Sequence, residues 1–117
     1  MKAPRSLAEV KNSLSSGEYS ITHLVDFYLK NIEAKENLNA FLEVWKDEAL
    51  QKAAEIQAKI DAGTAGRLAG MVIGLKDNIV YKGHKVSASS KILEAFESLY
   101  SSTVTERLEN EDAIFIG

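Results

Sequence analysis

The 117-residue chain contains no cysteine, a single proline and only two histidines, His23 and His84. The lack of cysteine excludes a disulfide framework, and two separated histidines cannot form a zinc site by themselves. No apolar run reaches the length of a signal-peptide core or a membrane span, so we expect no membrane partner. Charge is nearly balanced, with 14 basic and 17 acidic residues and a net charge of -3. This balance gives no electrostatic reason to expect direct nucleic-acid binding.

The composition is that of an ordinary globular domain, with 45% hydrophobic and 26% charged residues. A chain of this length can bury a real core. It has no internal repeat, low-complexity tract or linker, so residues 1–117 are expected to form one unit. A reducing, cytoplasmic environment fits the lack of cysteine and of a targeting segment.

Apolar residues at three- and four-residue spacing predict five helical segments. Ser6 and Glu9 match a capping box, and Ser20 can cap the longest apolar stripe. Gly17 and Gly63 are suited to end the helices that precede them. The predicted helices cover residues 7–16, 21–32, 47–62, 90–96 and 102–108.

Three apolar segments predict strands, at residues 38–45, 71–75 and 113–117. The last two are apolar enough to be covered on both faces of a sheet. Helices alternating with such strands indicate an α/β fold. Functional loops in open α/β sheets follow the carboxyl ends of strands, so the residues after position 75 are the first candidates for a site.

Lys76 follows the second predicted strand directly. Partial desolvation there would favour a neutral amine, and a neutral lysine can act as a general base. The alternative is structural, since lysines at strand ends usually extend to water or pair with a neighbour such as Asp77. The position of Lys76 alone favours this alternative.

The segment from Leu68 to Ile79 resembles the opening motif of the amidase-signature family, and the triplet Lys76-Asp77-Asn78 is its specific part. Two further segments, 88–93 and 100–104, are most similar to the A-subunit branch of that family, found in glutamyl-tRNA(Gln) amidotransferases. Weaker similarity extends back through residues 38–41 and the helix that Ser20 begins. The resemblance therefore covers nearly the whole chain and favours a catalytic role for the lysine.

The resemblance implies a fold and a catalytic apparatus. The fold would be the amino-terminal part of the amidase-signature fold, with helices packed on an incomplete mixed sheet. Members of the family use a serine nucleophile, a second serine held by a cis peptide bond, and a lysine that Lys76 matches. Both serines are expected beyond Gly117, so the chain is expected to be truncated and inactive alone. Asp77 and Asn78 are expected to organise the loop around Lys76.

The resemblance also implies partners and cofactors. The full enzyme would hydrolyse glutamine to glutamate and ammonia, and the ammonia would convert Glu-tRNA(Gln) to Gln-tRNA(Gln) in protein synthesis. The B subunit would use ATP and magnesium, and the complex would be completed by a small C subunit. The tRNA would be reached only through this complex. No cofactor or metal is expected in this chain.

Two alternatives stay open. The chain could belong to another amidase-signature hydrolase that acts on a different amide. It could instead be a non-catalytic module that binds a partner through the amphipathic helix after Ser20. The missing nucleophile supports this second alternative, while the apolar terminal segment argues against it.

Two local features carry further expectations. Ser87, Ser89 and Ser90 match a family segment upstream of the nucleophile, and Ser90 is expected to cap the helix at 90–96. Glu111-Asp112 stands where the family commonly has Ala-Gly. Aspartate tolerates the left-handed conformation less well than glycine, so this turn is expected to differ slightly.

Overall fold

Four α-helices and a two-stranded sheet make up the computed structural model, which describes residues 1–117. The elements are α1 (Leu7–Ser16), α2 (Ile21–Ala34), α3 (Lys46–Asp61), β1 (Val72–Ile73), α4 (Thr103–Asn110) and β2 (Ile114–Phe115). Two single-turn 3-10 helices occupy Glu36–Leu38 and Lys91–Leu93. The predicted α/β class is confirmed, although the strands are short. None of the helices combines the length and the apolar character needed to cross a bilayer.

Serine caps define where three of the helices begin. The side chains of Ser6, Ser20 and Ser102 each accept a hydrogen bond from the amide three residues later. The capping box at Ser6 is only half formed, because Glu9 accepts from the Arg5 amide and not from the Ser6 amide. Gly17 ends α1 with a φ of 72°, a left-handed conformation that glycine adopts without strain. The predicted boundaries of α1 and α2 are confirmed to within about two residues at each end.

One predicted strand and one predicted helix are wrong. Residues 38–45 form no strand: Asn39 takes a left-handed φ of 48° after a 3-10 turn. Only the Trp45 amide of that segment reaches the sheet, donating to Ile116 O. The predicted helix at 90–96 shrinks to one 3-10 turn, and the side chain of Ser90 caps nothing. Ile92 is 94% exposed, so a longer helix there would bury no apolar face and would gain no stability from packing.

The core lies where α3 packs against both α2 and β2. Alanines 49 and 53 on α3 are buried, and their small side chains let the larger residues of α2 approach closely. Gln57 Oε1 accepts the Ile21 amide at 2.9 Å, which satisfies a free N–H at the start of α2. The buried core residues are Ile21, Val25, Leu29, Ala49, Ala53, Ile56, Ala69, Ile114 and Ile116.

The two strands run parallel, with Val72 opposite Ile114 and Ile73 opposite Phe115. β2 is buried on both faces, as predicted. β1 is only half-buried, so the expectation that it is covered on both faces is wrong. Because the strands are parallel, their carboxyl ends lie at the same edge of the sheet.

A buried carboxylate stabilises the opposite end of the sheet, just before β2 begins. Asp112 is 3% exposed, and its Oδ1 lies 2.6 Å from Lys59 Nζ on α3. Its Oδ2 accepts the Gly66 amide at 2.7 Å. Its neighbour Glu111 pairs with Arg67 through both the amide and the guanidinium. We call Asp112, Lys59 and Gly66 the Asp112 clamp, because it joins α3 and the loop before β1 to the start of β2.

The turn itself adopts the glycine-like conformation despite the aspartate. Asp112 has a φ of 66°, within the left-handed region. Burial raises the pKa of Asp112, but the hydrogen bonds from Lys59 and Gly66 outweigh it and leave the pKa below its ordinary value. Asp112 therefore adopts the left-handed conformation that glycine would take at this position, and its carboxylate adds the contacts of the clamp.

Replacing Asp112 should destabilise the fold in a pH-dependent way. Asp112→Asn keeps the shape but loses the charge, and we expect a loss of about 1–3 kcal/mol in the free energy of unfolding. The folded carboxyl has the lower pKa, so its contribution is present above about pH 4, where an unfolded aspartate ionises, and is lost as pH falls through the folded value. Urea unfolding between pH 7 and pH 3, at one low protein concentration, measures both effects.

Glu106→Gln is a matched control, because Glu106 is exposed on α4 and its side chain forms no hydrogen bond or ion pair in the structure. This variant should keep the acid sensitivity of the parent chain. An Asp112→Asn variant with unchanged stability at pH 7 would show that the clamp does not stabilise the fold.

Large apolar side chains on the segment from 91 to 104 face solvent. Ile92 is 94% and Leu99 is 81% exposed, and Tyr100, Val104 and Phe96 are also exposed. Such a patch on a monomer is a site for association. We therefore expect the 117-residue chain to self-associate at micromolar concentration in size-exclusion chromatography with light scattering.

A variant with Ile92→Lys and Leu99→Lys should shift the chain toward monomer. The matched control places two lysines on the exposed face of α3, at Ala54 and Ala58, and should change the association much less. A parent chain that stays monomeric at all concentrations contradicts the prediction.

Candidate functional site

A cleft of about 930 Å³ opens where β1 and β2 end. The cleft is lined by the segment 40–45 that precedes α3 and by the turn from Ser87 to Lys91. The floor is formed by Gly74, Leu75 and Gly117, which follow the two strands. This is the edge at which parallel α/β sheets place their binding sites.

Lys76 lies in this cleft, three residues beyond the end of β1. Its side chain is exposed, and it forms no hydrogen bond or ion pair within the chain. The desolvation expected from the preceding apolar run is therefore wrong for these 117 residues, because β1 itself is only half-buried. No ion pair with Asp77 forms, and the lysine extends to solvent, which is the other arrangement that the structural alternative expects. The amine is free to meet a group that is not supplied by this chain.

Asp77 forms no ion pair with Lys76 and instead binds Ser87, another residue that lines the cleft. Its carboxylate accepts the hydroxyl of Ser87, and its Oδ1 accepts the Ser87 amide at 3.1 Å. The hydrogen bond from the Ser87 hydroxyl lowers the pKa of Asp77 below its ordinary value, with the Ser87 and Ser89 amides and nearby Lys76 adding to the effect. Asn78, by contrast, is exposed, and its side chain forms no hydrogen bond. These contacts support the expected organising role only for Asp77.

Phe41 is a site residue that the sequence did not reveal as such. A Cβ added to Gly74 would lie 3.1 Å from its ring, and one added to Gly117 would lie 2.7 Å from the same ring. Both glycines follow a strand, so the ring packs across the two strand ends directly beside Leu75. The signal in the sequence was Gly74 itself, since a glycine inside an apolar strand often marks a close approach.

An aromatic cluster closes one end of the cleft. The rings of Tyr81 and His84 stack with an interplanar angle of 2° at 4.3 Å, and Trp45 lies 4.1 Å from the His84 ring centre. His84 Nε2 lies 2.8 Å from Glu48 on α3. His84 and Trp45 therefore pack within this cluster, whereas His23 is exposed on α2.

The hydroxyl of Tyr81 is a hydrogen-bond donor in this cluster. It donates to Glu109 on α4 at 3.0 Å. Burial, together with that hydrogen bond and the charges of Glu109 and Glu48, raises the pKa of Tyr81 well above its ordinary range. Tyr81 therefore remains protonated and links the cleft to α4. No three histidine, aspartate or glutamate side chains come together in an arrangement suited to a metal ion.

The family to which the chain belongs follows from a direct comparison. The family model described as Amidase matches residues 23–117, which include all the residues of the cleft. The chain therefore belongs to the amidase family, as the Lys76-Asp77-Asn78 motif indicated.

Individual relatives show which members of the family the chain is similar to. The chain is 42% identical over 110 residues to the A subunit of glutamyl-tRNA(Gln) amidotransferase from Chlorobaculum tepidum. It is also 42% identical over 113 residues to the protein of the same name from Bacillus cytotoxicus. These alignments cover 93% and 96% of this chain, but only 23% of each relative. The chain thus spans about a quarter of the length of the curated relatives it matches.

Solved structures of amidases share the fold. The peptide amidase of Stenotrophomonas maltophilia superimposes with a TM-score of 0.88 at 31% identity, over 98% of this chain and 24% of that one. A bacterial aryl acylamidase of the amidase-signature family gives a TM-score of 0.87 at 27% identity, over 97% of this chain and 24% of that one. The 117 residues therefore adopt the arrangement that this region has in amidase-signature enzymes.

The contact between Phe41 and Gly74 yields a stability prediction. Gly74→Ala should push the ring aside and lower the free energy of unfolding by about 1 kcal/mol, the low end of the cost of overpacking. Phe41→Leu should relieve part of that cost, giving a favourable coupling of about 0.5 kcal/mol in a double-mutant cycle. Urea unfolding of the four chains at one low protein concentration measures the coupling.

Leu42 supplies the matched control, because it is adjacent to Phe41 but 79% exposed. A cycle of Gly74→Ala with Leu42→Ala should be additive. If the cycle with Phe41→Leu is equally additive, the ring does not pack on the strand end.

Proposed function

We propose that this chain is the amino-terminal portion of an enzyme like the A subunit of glutamyl-tRNA(Gln) amidotransferase. Such an enzyme would hydrolyse glutamine and release ammonia for the conversion of Glu-tRNA(Gln) to Gln-tRNA(Gln). The observation that carries the proposal is an unpaired lysine, Lys76, in the cleft at the strand ends of an amidase-family fold. The names of the relatives at 42% identity supply the choice of substrate.

The proposed chemistry uses Lys76 to move a proton. In its neutral form the amine accepts a proton, directly or through the second serine, from the serine that attacks the side-chain amide carbon of glutamine. The lysine then returns the proton to the leaving nitrogen, so that ammonia departs and a glutamyl ester remains on the serine. Water hydrolyses this ester to glutamate. Both serines are proposed to lie outside these 117 residues, so the chain alone should release no ammonia.

The exposure of Lys76 is consistent with a site whose serines are supplied by residues outside this chain. The amine lies in the cleft and has no partner within the chain, so it is available to a group that the rest of the longer protein would supply. We propose that the rest of the longer protein covers the cleft and removes water from the amine. Desolvation would then favour the neutral base that the chemistry requires.

The proposed partners follow from the names of the relatives and from the family resemblance. The B subunit would use ATP and magnesium to activate the glutamyl-tRNA, and the C subunit would complete the complex. The chain itself is nearly neutral, which is consistent with tRNA being bound elsewhere in the complex. No cofactor is assigned to this chain, and a cytoplasmic location stays a prediction.

A second candidate is an amide hydrolase with a different substrate. The solved peptide amidase, at 31% identity, supports this candidate. Glutamine and a peptide amide as competing substrates would separate the two functions. The non-catalytic helical module loses its main support, because the apolar face of α2 is already covered: Ile21, Leu24, Val25 and Leu29 are buried.

A chimeric enzyme tests the proposal. This chain would replace the matching 110 residues of the Chlorobaculum tepidum protein, expressed with its B and C subunits. The chimera should release ammonia from glutamine, and Lys76→Ala should lower kcat by about 10³-fold because a general base contributes roughly 10²–10⁴-fold. Lys76→Arg should be equally inactive, because a guanidinium stays charged.

Lys82→Ala is the matched control, because Lys82 is exposed nearby but does not line the cleft. It should retain the activity of the parent chimera, and all variants should keep the same melting temperature. Glutamine hydrolysis at the parent rate by Lys76→Ala refutes the role of the lysine, and a chimera that prefers peptide amides favours the second candidate.

A further inference from the structure

Two successive residues in the cleft wall have an unusual backbone. Ala88 has a φ of 48° and Ser89 a φ of 60°, and neither is glycine. The left-handed conformation is unfavourable for a residue with a Cβ, and two in succession require outside support. Such strain persists where the surrounding contacts enforce it, and it is concentrated at functional sites.

The support comes from Asp77, the residue directly after Lys76. Its carboxylate accepts both the hydroxyl and the amide of Ser87, the latter at 3.1 Å. Its main-chain carbonyl accepts the Ala88 amide at 2.9 Å. Successive backbone amides around a left-handed turn form a concave nest that holds an anion, and here the anion is supplied by the chain itself. We call these contacts between Asp77 and the pair Ser87–Ala88 the Asp77 lock.

The Asp77 lock connects the two sides of the cleft. Lys76 follows β1, while the left-handed turn contributes Ser89, Ser90 and Lys91 to the lining of the same cleft. The three hydrogen bonds of the lock fix the distance between these two groups. Only Ser87 contributes both a backbone and a side-chain donor, so it carries most of the connection.

We propose that Ser87 is a positioning residue for Lys76. By binding the carboxylate of Asp77, Ser87 holds the lysine at a fixed position relative to the left-handed turn at Ala88 and Ser89. This inference rests on the proposed function, because it assigns Ser87 a role in the same reaction. Ser87 itself does not touch the reacting atoms. A displacement of about 1 Å at a catalytic group can cost up to about 10²-fold in rate, so loss of the lock should be visible in kcat.

Three variants of the chimeric enzyme test the proposal. Ser87→Ala removes the hydroxyl, Ser87→Thr retains it, and Ser101→Ala is the matched control. Ser101 accepts the Lys82 amide at 3.0 Å in a neighbouring loop outside the cleft. Each variant is assayed for kcat and KM with glutamine, for melting temperature, and for hydrogen exchange of the peptide that contains Ala88.

The lock predicts a specific pattern. Ser87→Ala should lower kcat about tenfold with KM changed less than about twofold, and the Ala88 peptide should exchange about tenfold faster. Ser87→Thr should restore both, and Ser101→Ala should alter neither.

Two results would overturn the proposal. If Ser87→Ala lowers the melting temperature but leaves kcat unchanged, the hydrogen bonds serve stability alone. If exchange at Ala88 stays slow in Ser87→Ala, the lock does not depend on the hydroxyl. A parent chimera without glutaminase activity would instead refute the proposed function, and the exchange measurement would still decide whether the lock exists.

Discussion

The parallel pairing of β1 with β2 is the interaction on which the site depends. Each strand is only two residues long, so the ladder alone is too short to fix a register. The Asp112 clamp secures the start of β2, and Phe41 packs across the glycines at the other end. The strand ends can therefore present Lys76 at a defined place even though few backbone hydrogen bonds join them.

The helices were predictable because their signals are local. Ser6, Ser20 and Ser102 cap helices through amides three residues away, and such spacing is visible in the sequence. The segment at 38–45 has the composition of a strand, but it has no continuous neighbour to pair with. Its geometry is set by a left-handed Asn39 and by a contact between Trp45 and Ile116, which are far apart in the sequence.

The motif indicated where the cleft would lie, but not the surroundings of the residues that line it. The motif pointed to Lys76 and Asp77, and both line the cleft. The exposure of Lys76 depends on how much of β1 is covered, which no local pattern encodes. The contact of Asp77 with Ser87 joins residues 10 positions apart, and that of Phe41 with Gly74 spans a still longer stretch of chain. These partners become evident only when the chain is folded.

These residues supply an unpaired lysine amine and a cleft lined at the strand ends, which we propose form one side of an amide-hydrolysing site. The most direct test is a crystal structure of the chimeric enzyme with a covalent inhibitor on its nucleophilic serine. The account predicts Lys76 Nζ within about 3.2 Å of a catalytic serine oxygen, as proton transfer requires. An amine that points to solvent, beyond hydrogen-bonding reach of either serine, would contradict it.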